Sequence, residues 1–185
     1  VKEGEGPIID TNFTTACNSV VLEAVSKNTN GVFNTESTTP KIPKKVLGAH
    51  TCATITKLHD SGLYPIIAFV FSRNECTRIT EHLKQSFLTE SESKFAGYVF
   101  DRAVATLDRD SQRLPQVKAL RKLAIRGIGI HHGGLIPLLK ETIEVMFGAN
   151  IIKVLFATET FAMGLNMPAK TVVFHSLSKF DGNEN

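Results

Sequence analysis

Four short runs rich in β-branched and aromatic residues, set apart by stretches with helical spacing, constrain the fold of this 185-residue chain more than any other feature. They are Pro65 to Phe71, Ile128 to Ile130, Val154 to Ala157 and Thr171 to Phe174. Short apolar runs bounded by turn residues suit parallel strands buried on both faces. Between them, apolar residues recur at helical spacing: Cys76, Ile79, Leu83 and Phe87 in one stretch, and Ala96, Phe100, Ala103 and Leu107 across Phe95 to Leu107. Pro115 and Pro137 are placed to open two more helices, which Gly127 and Gly148 would close. Ahead of the first strand, Cys52, Ile55 and Leu58 predict a helix from His50, with Gly62 as its left-handed terminator. Strand and helix in alternation imply βαβ units with right-handed crossovers, hence a three-layer α/β fold with a mostly parallel sheet and helices on both faces.

Composition sets looser bounds. A hydrophobic content of 42% suits one soluble globular domain, and a formal charge of +3 is too small to prove a polyanionic partner, so any basic surface must come from clustering. Cys17, Cys52 and Cys76 are odd in number and contain no CxxC pair, which argues against a disulfide framework or a zinc site and for a reducing, intracellular compartment. No apolar run approaches the ~20 residues that span a bilayer. Residues 1–25 are weakly patterned, and 26–45 are dominated by Ser, Thr, Asn, Lys and Pro, predicting a flexible linker ahead of a domain over 46–185.

Ligands of open α/β sheets bind outside the carboxyl ends of the strands, so the polar turns there are the candidate site. Ser72 and Glu75 follow the first run with the spacing of a capping box, beside Arg73, which is either a solvated side chain or an anion ligand. After the second run, His131-His132-Gly133-Gly134 is either a tight βα turn with packed histidines or a place where an anion reaches bare amides at a helix start. After the third, Thr158-Glu159-Thr160 offers helix caps or anion-binding hydroxyls, and Gly164, Asn166 and Pro168 rule out a long helix. Lys118, Arg121, Lys122 and Arg126 share one helix face and read as solvated surface outside the site.

The string FATETFAMGLNMPAKTVVF, from Phe156 to Phe174, resembles motif V of superfamily 2 helicases, specifically the Ski-type DExH RNA helicases. IIAFVFSRNEC (Ile66 to Cys76) is similar to motif IV and GIGIHHGGL (Gly127 to Leu135) to motif IVa, in the expected order. The likeness runs from about His50 to Gly182 and implies the second RecA-like domain of a helicase core. It implies RNA-backbone contacts for Ser72, Arg73, His132, Gly133, Gly134, Thr158 and Thr160, and ATP contacts for Gly164 and Asn166. No GxxxxGK[ST] and no DExH string occurs, so ATP and Mg would be held mainly by a first RecA-like domain of the same polypeptide, and this stretch alone should hydrolyse nothing. Further implied partners are single-stranded or 3′-tailed RNA and exosome or Ski-complex subunits, with no membrane. The HHGG turn, the polar stretch before motif IV and the spacing from Leu107 to Pro115 favour the cytoplasmic Ski-complex branch over its nuclear relative. The rival reading is a protein-interaction module on a RecA-like fold; a small-molecule enzyme is poorer, since no Ser-His-Asp or Cys-His set presents itself.

Overall fold

In a computed structural model of the chain, which describes residues 44–158 and 168–175, the first element is helix α1 (Lys44–Asp60). It starts in the last two residues of the expected linker, ahead of His50, and buries Thr51, Cys52 and Ile55. It ends as its pattern predicts: Leu63 N donates back to Leu58 O at 2.9 Å across Gly62, which sits at φ 71°. The remaining elements are β1 (Ile66–Phe69), α2 (Arg73–His82), α3 (Glu90–Val104), the single turn α4 (Arg109–Gln112), α5 (Pro115–Ala124), β2 (Ile128–His131), α6 (Pro137–Gly148), β3 (Val154–Ala157) and β4 (Thr171–Phe174).

All four strands run parallel, in the order β2-β3-β1-β4. β2 and β3 are buried at every residue, as continuous apolar strands covered on both faces should be. Helices α1 and α2 pack on each other, while α3 packs on α5 and α6, which gives the RecA-like α/β layering. Phe100, Leu139, Ile143, Phe147 and Phe156 are among the fully buried side chains of the core. β4 differs: burial alternates along it, Val172 and Phe174 are exposed, and Phe174 stacks on Phe69 with centroids 5.5 Å apart.

Two local predictions are corrected. Ser72 makes no side-chain capping bond; Glu75 turns away from it to pair with the Arg78 guanidinium. The capping box forms instead at α3, where Thr89 Oγ1 accepts from Glu92 N at 3.3 Å and the Glu92 carboxylate accepts from Thr89 N at 2.8 Å. Both segments carry the spacing, but at α2 Arg78, three residues on in the same helix, takes the carboxylate that the box would need. Helix α3 thus begins five residues before Phe95, and α2 ends at His82 instead of reaching Phe87. Phe87 is still buried, because its N–H donates to Arg126 O at 2.9 Å beside Gly127, which sits at φ 75°.

Cys52 and Cys76 are free and buried, and burial pushes the Cys76 thiol up to about 12, which leaves it protonated and inert. No group of His, Cys, Asp and Glu among the described residues could hold a metal ion, and no helix there is long and apolar enough to cross a membrane.

Gly129 on β2 is where α6 and β3 close most tightly on the sheet. A Cβ there would meet Leu155 Cδ1 at 2.9 Å and both Ile143 Cγ2 and Ile152 Cδ1 at 3.1 Å. Gly129→Ala is therefore expected to destabilise the domain by roughly 1–3 kcal/mol through overpacking. Urea unfolding measures this, and an unshifted midpoint would contradict the packing described.

Candidate nucleic-acid interface

Parallel register brings the candidate turns to one edge. Phe69 pairs with Ala157 and Ala157 with His131, so the residues that follow β1, β3 and β2 leave the sheet side by side. Val70 N donates to Ala157 O at 2.9 Å and Thr158 N to His131 O at 3.1 Å, extending both ladders one residue beyond the strands. The strand that follows β1 in sequence is β2, on one side of the central β3-β1 pair, and the strand that follows β3 is β4, on the other.

Arg73, the first residue of α2, is exposed and lies against the glycine turn. Its Nη2 is 3.5 Å from where a Cβ on Gly133 would stand, and its Cδ is 3.6 Å from that of Gly134. Two separate loops therefore present one cation and one stretch of bare backbone together. Ser72, exposed and unused as a cap, is its immediate neighbour, and half-buried Thr158 follows the central strand β3.

The histidines take different parts. His131 is buried at the end of β2, where its Nε2 lies 2.6 Å from Glu144 Oε1 of α6 and ties strand to helix. His132 is half-buried, and its Nδ1 accepts from Gly134 N at 3.0 Å. Burial first, then the Arg73 charge, lowers its pKa, so the ring stays neutral and able to accept at physiological pH. Because the folded value is depressed, this bond contributes fully above the ordinary histidine range and is lost as pH falls through the lowered value.

The amides expected to lie open at the start of α6 are largely spent inside the loop. Gly134 N is taken by His132, Ile136 N donates to Gln116 Oε1 at 3.0 Å, Leu135 N donates to His132 O at 3.2 Å, and Pro137 has no N–H. Gly133 N has no hydrogen-bond partner among the described residues. Anion recognition at this turn thus rests on Arg73 and Gly133 more than on the helix terminus.

Gln116 escaped sequence reasoning. From the first turn of α5 its amide accepts from Ile136 N and donates to Gly134 O, both at 3.0 Å, clasping the turn from the side. Nothing in its position separates it from a solvated helix residue. The basic face of α5 stays outside the interface: Arg121 pairs with Asp101 through two contacts of 2.7 Å, and the Arg126 guanidinium donates to Leu83 O and Gln85 O. Thr160, Gly164 and Asn166 lie outside the described residues.

This is a RecA-like α/β domain whose carboxyl rim gathers a guanidinium, a glycine turn and a threonine from three strand ends. No protein-family model matches the chain. It is 50% identical over 131 residues to the DExH-box ATP-dependent RNA helicase DExH11 of Arabidopsis thaliana, covering 70% of this chain and 10% of that protein. It is 47% identical over 131 residues to the exosome RNA helicase MTR4 of Homo sapiens, covering 70% and 13%. It is 42% identical over 130 residues to the antiviral helicase SKI2 of Saccharomyces cerevisiae, covering 70% and 10%. The chain belongs with the Ski-type DExH RNA helicases of superfamily 2, and it spans about a tenth of the length of these curated relatives.

Gln116→Ala removes both bonds of the clasp, each worth about 0.5–1.5 kcal/mol net. Amide hydrogen exchange is expected to quicken at Ile136 while β2 and β3 keep their protection. Equal protection of Ile136 in both proteins would show that the clasp does not hold the loop.

Proposed function

We propose that this chain is the second RecA-like domain of an ATP-dependent RNA helicase that feeds RNA to exosome-mediated decay. Its rim holds the RNA backbone through Ser72, Arg73, His132, Gly133, Gly134, Thr158 and Thr160. The observation that carries this reading is the Arg73 guanidinium lying against Gly133 and Gly134, beside a Gly133 N–H that has no hydrogen-bond partner among the described residues. A guanidinium and a peptide N–H are the donors that phosphate oxygens accept from, and Ser72 adds an exposed hydroxyl beside them. Contacts of this sort hold a strand without reading its bases.

The described residues do not suit Mg: no carboxylate cluster is available, and no step through the metal is derived from them. ATP, as substrate, is assigned to a cleft between a first RecA-like domain and this one, with Mg and most triphosphate ligands supplied by the former and Gly164 and Asn166 by this chain. The work of the described residues is to bind and orient RNA phosphates. A change in the distance between this grip and one on the first domain would move the strand.

The relatives named above are all helicases, DExH11 and MTR4 being named as RNA helicases, which supports RNA over other polyanions and disfavours a pure protein-interaction module. Identities of 47% to MTR4 and 42% to SKI2 do not favour the Ski-complex branch, so the proposal covers both, with Ski-complex or exosome subunits as partners in an intracellular setting.

The test is made in the full-length helicase. Arg73→Ala is expected to raise the RNA concentration for half-maximal ATPase stimulation about tenfold, the loss of one hydrogen bond to a charged group. The slope of log affinity against log salt should also become shallower by about 0.7, one phosphate contact on a single strand. Thr158→Ala is expected to lower both RNA-stimulated ATP turnover and unwinding. Unchanged RNA dependence and salt slope for Arg73→Ala would refute the grip.

A further inference from the structure

The start of α2 lacks the cap that its sequence predicts, yet Arg73 in its first turn must be held in place to lie over Gly133. Against that turn stands a buried histidine that follows the neighbouring strand β4. His175 follows β4, is 7% exposed, and its backbone N–H donates to Phe69 O at 3.0 Å, locking it beside the end of β1. Its Nδ1 lies 2.8 Å from Thr51 Oγ1 of α1. The Glu75 carboxylate facing the other ring nitrogen favours the proton there, so Nδ1 accepts from the Thr51 hydroxyl, which also lies 3.0 Å from Leu47 O.

The other ring nitrogen faces α2. Nε2 is 3.6 Å from Glu75 Oε1, too long for a hydrogen bond but in contact, and the same carboxylate is clamped by Arg78. Burial lowers the His175 pKa, against the opposing pull of Glu75, so the ring is neutral at physiological pH and acts as a shaped wedge with one directed bond. Glu75 is two residues after Arg73, about 200° around a helix. Drawing Glu75 inward onto His175 therefore turns Arg73 outward, toward the glycine turn.

We propose that His175 is a positioning residue for the RNA grip: by joining Thr51 of α1 and the Glu75–Arg78 pair of α2 to the end of β4, it sets the rotation of the first turn of α2 and so places the Arg73 guanidinium over Gly133 and Gly134. This rests on Arg73 being a phosphate ligand. His175 itself touches no RNA.

The experiment is a double-mutant cycle in the full-length helicase, reading the half-saturating RNA concentration and the ATPase kcat at saturating RNA for His175→Ala, Arg73→Ala and the pair. His175→Ala is expected to raise the half-saturating RNA concentration roughly three- to tenfold with little change in kcat, and to add almost nothing in the Arg73→Ala background. His175→Asn keeps a hydrogen-bond partner for Thr51 but cannot reach Glu75, and serves if the alanine variant fails to fold; the same rise in half-saturating RNA, absent without Arg73, is expected. A full additive effect in the Arg73→Ala background, or a fall in kcat with RNA affinity unchanged, would overturn the proposal while leaving the grip intact. No effect of Arg73→Ala by itself would sink the phosphate-ligand reading, and this inference with it.

Discussion

The parallel pairing of β3 with β1 on one side and β2 on the other is the constraint on which the rest depends. It fixes Phe69, Ala157 and His131 in one rank, and every group of interest leaves the sheet within a few residues of that rank. The pairing is held by burial on both faces, since the strands it joins are almost wholly apolar and shielded by helices. A register slip of one residue would turn the inward set of each strand to the opposite face and separate Arg73 from the glycine turn.

With the strand ends aligned, the chemistry of the rim follows from what each loop leaves unsatisfied. The turn after β2 closes most of its own polar groups through His132 and Gln116, and Gly133 N, beside Arg73, is left without a partner among the described residues. A total charge of +3 hides this arrangement, and three cations elsewhere are committed: Arg121 to Asp101, Arg126 to carbonyls just past α2, and Lys153 to Asn150 O. One exposed guanidinium, Arg73, stands at this edge, and Glu75 in the same first turn of α2 lies against His175, which is bonded to Thr51.

Polar side chains recur in this domain as joints between elements. His131 links β2 to α6, His175 links β4 to α1 and α2, and Gln116 links α5 to the turn before α6. Each lies at or next to the carboxyl edge, whereas the apolar core beneath is uninterrupted. Buried polar contacts that are fully partnered rigidify their surroundings, and a site that must hold a polyanion in fixed geometry gains most from rigidity at its rim.

The residue order by itself determined the parallel α/β class, helix boundaries marked by Gly or Pro, and the edge at which to look for ligands. Those features depend on local periodicity and backbone permissiveness, which travel with the residues: Gly62 and Gly127 take positive φ, and Pro115 and Pro137 open helices. Tertiary structure decided the partners. Gln116 became a clasp on a turn 20 residues further on, Arg126 reached the carbonyls of Leu83 and Gln85, and His175 came to stand between Thr51 and Glu75. Spacing along the chain lists the bonds a side chain is able to make locally; which of them forms depends on the charges and carbonyls that folding brings up from distant segments.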